Sequence, residues 1–172
     1  MRKPRILRDG ALYHVTFRAN RKELILEPHH MKNLFVDVLR RAKGKYNFQL
    51  DNFCIMGNHV HLMLRPKGST NLSRLMQWIL SVFAMAYNRI HGLTGHVWGC
   101  RFYSRIINGL MDFLQIFSYV DNNPVESHLI LNKRDWRFGG IWHHRAGIID
   151  VCGYPRRLLS LISPEHSQLM LA

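Results

Sequence analysis

The sequence is poor in cysteine and in acidic residues, and it lacks any long apolar run. Only 3 cysteines occur among 172 residues, with no Cys-x-x-Cys pair, so neither a disulfide framework nor a cysteine-rich zinc site is predicted. No apolar stretch approaches the roughly 18 residues of a transmembrane helix. The charged residues 1–10 lack the following apolar segment of a signal peptide. These absences favour a cytoplasmic protein with no membrane partner.

Positive charge is what the sequence has in excess. There are 24 Lys and Arg against 11 Asp and Glu, which gives a formal net charge of +13. Such a surplus of positive charge indicates the kind of binding partner rather than the fold, and it favours a polyanion: DNA, RNA or an anionic surface. Several basic residues lie near aromatic ones, a combination typical of single-strand binding. The candidate contacts are Arg2, Lys3, Arg5, Arg8, Arg18, Arg21, Trp98, Arg101 and Arg105.

Hydrophobic periodicity predicts a single α+β fold. Strand patterns occur at residues 13–18, 48–56 and 59–65, and residues 97–107 look extended. Helical stripes occur at 29–46, from the predicted cap Asn71 to about residue 90, and from Asp112 to a stop at Pro124. This order matches the split βαβ, ferredoxin-like pattern: an antiparallel sheet with helices on one face, plus an additional tyrosine-bearing helix. A short helix is also expected within residues 153–171.

The sharpest local motif is His59-Val60-His61. Side chains two residues apart in a strand point to the same face, so the two imidazoles are expected side by side. Two imidazoles in this arrangement form half of a divalent-metal site. The alternative is a pair of solvent-facing histidines on a half-buried strand.

A second motif places Tyr119 and Asn123 one helical turn apart on the third predicted helix. The tyrosine is a candidate nucleophile, and the asparagine amide oxygen is a candidate metal ligand. Two observations favour a plainer interpretation. An amphipathic helix commonly carries a tyrosine with a packed ring and a wet hydroxyl, and Pro124 disfavours a helical Asn123.

Two further histidine patterns are weaker. His14-Val15-Thr16 is half of the motif of two-histidine phosphoesterases, but the second half is missing, so His14 is predicted to be a strand residue near the sheet face. His143, His144 and Cys152 match no accepted zinc spacing.

The ensemble Gly57-Asn58-His59-Val60-His61, Tyr119 and Asn123-Pro124-Val125 resembles the HUH single-tyrosine transposases. It most closely resembles their REP-associated tyrosine transposase branch, which also has segments similar to residues 13–18 and 98–103. The resemblance spans about residues 5–130. We therefore expect a transposase-like domain at 1–130 with a basic N-terminal arm, and a C-terminal extension of unknown role at 131–172.

The resemblance implies metal-dependent nicking and joining of single-stranded DNA. Tyr119 would be the nucleophile that forms a 5′-phosphotyrosine, and His59, His61 and Asn123 would bind Mg²⁺ or Mn²⁺. The implied substrate is hairpin DNA of repetitive extragenic palindromes, which would associate the protein with the nucleoid. Monomers and homodimers both occur among such proteins, so either is open. The alternative is a non-catalytic binding module for structured DNA or RNA, because the charge excess requires no catalysis.

Overall fold

The computed structural model describes residues 7–153. The candidate contacts Arg2, Lys3 and Arg5 lie outside the described residues, as does the helix expected after residue 153. Within the described part, none of the helices combines the length and the apolarity needed to cross a bilayer.

A four-stranded antiparallel sheet forms the centre of the described chain. Its strands are β1 (Tyr13–Arg18), β2 (Phe48–Ile55), β3 (His59–Pro66) and β4 (Tyr103–Ile106), in the spatial order β2-β3-β1-β4. β1 therefore lies inside the sheet and pairs with both β3 and β4. The α+β, ferredoxin-like prediction is confirmed.

Two long helices cover one face of this sheet. They are α1 (His29–Lys45) and α2 (Leu72–His91). The inward residues of β1 and β3, such as Val15 and Leu62, are fully buried among them; burying a side chain of this size contributes about 1.5–3 kcal/mol. Asn71 caps α2, as predicted, because its side-chain oxygen accepts hydrogen bonds from the Ser73 and Arg74 amides.

The opposite face carries α3 (Gly109–Glu126), the helix that holds Tyr119. A second apolar cluster fixes it to β2 and β3, with Phe117 and Val120 packed near Cys54 and Met63. The third helix is thus where the additional tyrosine-bearing helix was predicted, and it covers only part of this face.

Both predicted ends of α3 were wrong. The helix begins at Gly109 because the Asp112 carboxylate reaches back to accept the Asn108 amide at 2.9 Å, so Asp112 lies in the first turn. At the other end Pro124 lies inside the helix. A proline removes one donor, but the Ser127 amide still bonds the Asn123 carbonyl and completes the last turn.

The described part of the C-terminal extension lies along the edge of the sheet. It contains a 3-10 turn (Lys133–Asp135) and the short helix α4 (Gly140–Arg145). The Ile55 amide donates to the Phe138 carbonyl, and the Gly153 amide donates to the Leu50 carbonyl. These bonds cover the outer edge of β2, which would otherwise expose unpaired backbone groups. The domain division at residue 130 stays a prediction.

Candidate active site

Strand register collects the candidate residues on one face. His61 is paired with Thr16, and His59 with Arg18; Thr16 is also paired with Tyr103 on β4. Directly paired residues of antiparallel strands share a face, and here it is the face that carries α3. Between α3 and the β1–β4 half of the sheet lies a cleft of about 440 Å³.

Tyr119 lies at the rim of this cleft. Its ring is 42% exposed, and its centroid is 5.4 Å from that of His61, with the ring planes nearly perpendicular at 87°. A second imidazole, that of His14, lies 6.0 Å away. The structure therefore brings the predicted nucleophile against the predicted metal ligands, although α3 and β3 are far apart in sequence.

The hydrogen bonds of His59 fix which ring nitrogen is free. Its Nδ1 is 2.8 Å from Asn58 Oδ1. The Asn58 amide cannot be flipped without loss, because its Nδ2 donates to the Lys22 carbonyl at 3.1 Å. The neutral imidazole must therefore donate from Nδ1, which leaves a lone pair on Nε2. Burial lowers the pKa of His59 below its usual value, which favours this neutral form.

The free lone pair of His59 faces an oxygen. Its Nε2 is 3.4 Å from Oδ1 of Asn123, and Asn123 Nδ2 is directed to the Tyr119 carbonyl at 3.4 Å. Two acceptors thus face each other across a gap that a shared cation would fill. Ligands about 2.1 Å from one ion lie about 3–3.5 Å from each other, so this spacing fits joint coordination.

His61 supplies a further free nitrogen. The residue is 4% exposed, and its Nε2 is buried without a hydrogen-bond partner. Burial, with smaller effects from neighbouring His59, His14 and Arg18, lowers the pKa of His61 to about 3, so the ring is neutral near pH 7. A buried neutral imidazole with an unused nitrogen suits a metal ligand.

The donor set consists of two imidazoles and one amide. No three His, Cys, Asp or Glu side chains converge on a possible ion anywhere in residues 7–153. Cys152 Sγ and His144 Nε2 are 3.5 Å apart but form no such group. Imidazole and amide donors suit Mn²⁺, and Mg²⁺ binding would rely more on water and substrate oxygens. The residues at the cleft fit a divalent ion.

The basic candidates are spread unevenly. Arg18 and Arg101 are exposed and line the cleft, and Arg21 is exposed in the turn after β1. Arg8 is exposed at the other end of β1, where Tyr13 bonds its backbone. These four are free to meet a polyanion, and their assignment to DNA stays a prediction.

Two other candidates have structural partners. Arg105 forms an ion pair with Asp112 at the start of α3. Trp98 packs edge-on to Phe17 at 5.0 Å, and its Nε1 donates to the Leu80 carbonyl at 2.9 Å. The partly buried Trp98 ring therefore packs against the core, and its assignment to DNA stays a prediction.

Sequence reasoning did not assign His14 and Thr16 to the site. Both line the cleft, together with Tyr103 of β4, which is 61% exposed. Strand alternation alone would place His14 and Thr16 on one face, but only the pairing of β1 with β3 puts that face against His61.

The family described as "Transposase IS200 like" matches residues 8–123, about two thirds of the chain. The chain belongs to the IS200-like transposase family. The match includes β1, β3 and α3, and so every described residue of the candidate site up to Asn123. Among curated protein sequences, none matches.

Solved structures agree with this family at the level of fold. A REP-associated tyrosine transposase bound to a REP hairpin superposes with a TM-score of 0.71 at 20% sequence identity, covering 90% of this chain and 88% of that one. A candidate transposase from Deinococcus radiodurans R1 superposes with a TM-score of 0.50 at 17% identity, covering 71% of this chain and 97% of that one. The fold of the REP-associated tyrosine transposase is thus shared over 90% of this chain.

Proposed function

We propose that this chain is a metal-dependent endonuclease and strand transferase that acts on single-stranded DNA through Tyr119. The observation that carries the proposal is the position of the Tyr119 ring, 5.4 Å from His61 at the mouth of a cleft that also holds His59. Membership of the IS200-like transposase family supports DNA strand transfer as the reaction class.

In the proposed reaction Tyr119 supplies the attacking oxygen. The Tyr119 hydroxyl gives its proton to solvent water, and its oxygen attacks the phosphorus of a backbone phosphate. The bond to the 3′-oxygen breaks, and this oxygen takes up a proton from water, which gives a free 3′-hydroxyl and a 5′-phosphotyrosine. A divalent ion held by His59, His61 and Asn123 would polarise a non-bridging oxygen of that phosphate. The phosphotyrosine bond conserves the energy of the broken phosphodiester bond. A second 3′-hydroxyl can therefore attack the phosphate linked to Tyr119, release the tyrosine and reseal a strand without another energy source.

The position of Tyr119 on α3 serves this step. Its 42% exposure lets a strand approach from the open side of the cleft, while the buried His14 and His61 rings close the inner side. The nucleophile therefore lies between solvent, where the DNA enters, and the buried imidazoles.

The substrate class is supported by charge and by similarity. A formal net charge of +13 favours a polyanion, and Arg18 and Arg101 bring two of these charges to the cleft. A protein of the same fold is described as bound to a REP hairpin. We therefore propose hairpin DNA of repetitive extragenic palindromes, with a flanking single strand, as the substrate.

A denaturing gel tests this function. Hairpin DNA labelled at its 3′ end, the end that stays on the fragment joined to tyrosine, is incubated with the full chain and Mn²⁺, and a covalent protein–DNA band is expected. Tyr119→Phe should abolish the band while DNA affinity is retained, because only the hydroxyl is removed. Tyr87→Phe, which makes the same change on the remote helix α2, is the control and should retain the band. An equal adduct yield from Tyr119→Phe would refute the assignment.

The same experiment distinguishes the catalytic function from binding alone. Salt-sensitive DNA or RNA binding without any adduct, and with no response to a chelator, would indicate a non-catalytic binding module.

A further inference from the structure

The buried imidazole of His14 makes a contact that the proposed reaction leaves unexplained. His14 lies on β1, and its Nε2 is 3.1 Å from Nδ1 of His61, 47 residues away. The two ring planes are 11° apart. Both residues are almost fully buried, at 6% and 4% exposure, so water does not compete for this hydrogen bond.

One of the two rings must donate and the other accept, because a hydrogen bond needs an N–H on one of the facing nitrogens and a lone pair on the other. If His14 donated, the proton of His61 would lie on Nε2, which is buried with no partner. The structure would then hold a buried N–H with no acceptor, a costly arrangement. If His61 donates from Nδ1, its Nε2 carries only a lone pair, which a cation can satisfy.

The surroundings of His14 are compatible with its role as acceptor. The residue is 6% exposed, and the residue paired with it across β1 and β4 is Arg105, which forms an ion pair with Asp112. An uncharged imidazole carries one N–H and one lone pair, so His14 can present the lone pair of Nε2 to His61.

We propose that His14 is a positioning residue, which accepts a hydrogen bond from His61 Nδ1–H and so holds His61 with Nε2 bare and directed to the metal site. This inference rests on the proposed function. Metal-binding histidines are usually fixed in this way through their second nitrogen, and loss of such a partner typically costs 10–100-fold in metal affinity. His14 also packs edge-on against Tyr119, so it contacts the nucleophile as well as the ligand.

The first test measures the tautomer of His61 directly and needs no metal. Long-range ¹H–¹⁵N NMR of the metal-free full chain should show His61 protonated at Nδ1. In His14→Phe, which keeps a buried ring but offers no acceptor, His61 should shift towards the Nε2–H form. Observation of the Nε2–H form in the unaltered chain would overturn the inference whatever the variants do.

The second test measures Mn²⁺ affinity by electron paramagnetic resonance. His14→Phe should weaken binding by about 10–100-fold, whereas His14→Gln, whose amide oxygen can still accept, should recover a large part of the loss. His143→Phe removes a buried imidazole outside the cleft and should leave the affinity unchanged. His14→Gln and the NMR measurement on the unaltered chain each give a result even where His14→Phe does not fold.

The outcomes distinguish the two proposals. If the unaltered chain binds Mn²⁺ and forms the adduct, but His14→Phe and His14→Gln bind as tightly as it does, His14 is not a positioning residue and the proposed function stands. If the unaltered chain binds no Mn²⁺, the metal-dependent function fails, and the role of His14 fails with it.

Discussion

His59 Nε2 and Asn123 Oδ1 face each other at 3.4 Å, although 64 residues separate them in the chain. Each atom is directed there by a second hydrogen bond of its own side chain, to Asn58 in one case and to the Tyr119 carbonyl in the other. The lone pairs of these two atoms therefore face each other with no hydrogen-bond donor between them. This relationship links β3 to α3 and makes Asn123 the residue through which metal affinity is most directly tested.

We predict that Asn123→Ala weakens Mn²⁺ binding by at least about tenfold, because one of three protein donors is removed. Asn123→Asp should instead strengthen Mg²⁺ binding, since a carboxylate oxygen is a harder and charged ligand. Calorimetric titration of the full chain measures both. Asn122→Ala is the matched control, because its side chain bonds Ser118 on the outer side of α3. Equal affinities for Asn123→Ala and Asn122→Ala would exclude Asn123 as a ligand.

The second prediction concerns the cations at the cleft. If Arg18 and Arg101 each contact a backbone phosphate, replacing either by glutamine should lower DNA affinity. It should also reduce the slope of log K against log salt concentration by about 0.7 for a single strand. Fluorescence anisotropy at several salt concentrations measures this slope.

Arg74→Gln provides the control for these variants. Arg74 is exposed near the start of α2, on the helix-covered face, and it follows the end of β3 that is remote from His59. The same loss of slope in Arg74→Gln would show that the cleft is not the DNA-binding surface.

Much of the fold could be predicted from local patterns. The strand patterns of β1 and β3 and the Asn71 cap are properties of neighbouring residues, and each lies where it was predicted. Both ends of α3 were missed because local hydrogen bonds extend the helix beyond the predicted start at Asp112 and past Pro124. The Ser127 amide and the Asp112 carboxylate supply hydrogen bonds that a pattern of residue types does not reveal.

Local patterns could predict which side chains of the candidate site share a face, but not their contacts across the sheet. His59 and His61 share a face by alternation alone. The approach of His14 to His61 depends instead on the register of two strands 47 residues apart, and register is fixed by packing of the whole sheet. Trp98 is a second example, since aromatic residues next to arginines occur both in cores and on DNA-binding surfaces, and its packing against Phe17 could not be predicted from the sequence.

The third prediction is a pH dependence outside the cleft. Burial, followed by neighbouring His143, lowers the pKa of His144 to about 4, against a smaller raising effect of the Asp51 backbone; in the unfolded chain it is about 6.5. Between these values the unfolded chain binds more protons, so the free energy of unfolding increases with pH. The contribution of neutral His144 is therefore complete above pH ~6.5 and is lost as the pH falls towards ~4.

Urea unfolding of the full chain measures this contribution. The difference in unfolding free energy between about pH 7.5 and about pH 4.5 should be smaller in His144→Gln than in the unaltered chain, because glutamine does not titrate. An unchanged difference would mean that other groups account for the acid sensitivity.

The fourth prediction tests the connection between the C-terminal extension and the helix that carries Tyr119. Buried Asn52 joins them: its Nδ2 donates to Asp121 on α3 at 2.8 Å, and its Oδ1 accepts the Phe53 amide at 2.8 Å. A Cβ at Gly140 would lie 2.1 Å from that same Oδ1. Asn52 cannot move away without losing one of its bonds, so the contact fixes glycine at the start of α4.

Gly140→Ala should therefore lower the free energy of unfolding by about 1–3 kcal/mol, as overpacking of a buried site does. Since the displaced Asn52 no longer holds Asp121 in place, the yield of the Tyr119 adduct should fall as well. Gly44→Ala is the control: no atom lies within 4 Å of the added Cβ, and alanine in a helix is favoured over glycine by about 0.5–1 kcal/mol. The midpoint temperature of thermal unfolding should fall in Gly140→Ala and rise in Gly44→Ala. A Gly140→Ala protein as stable as the unaltered chain would show that the extension can shift on the edge of β2 without disturbing α3.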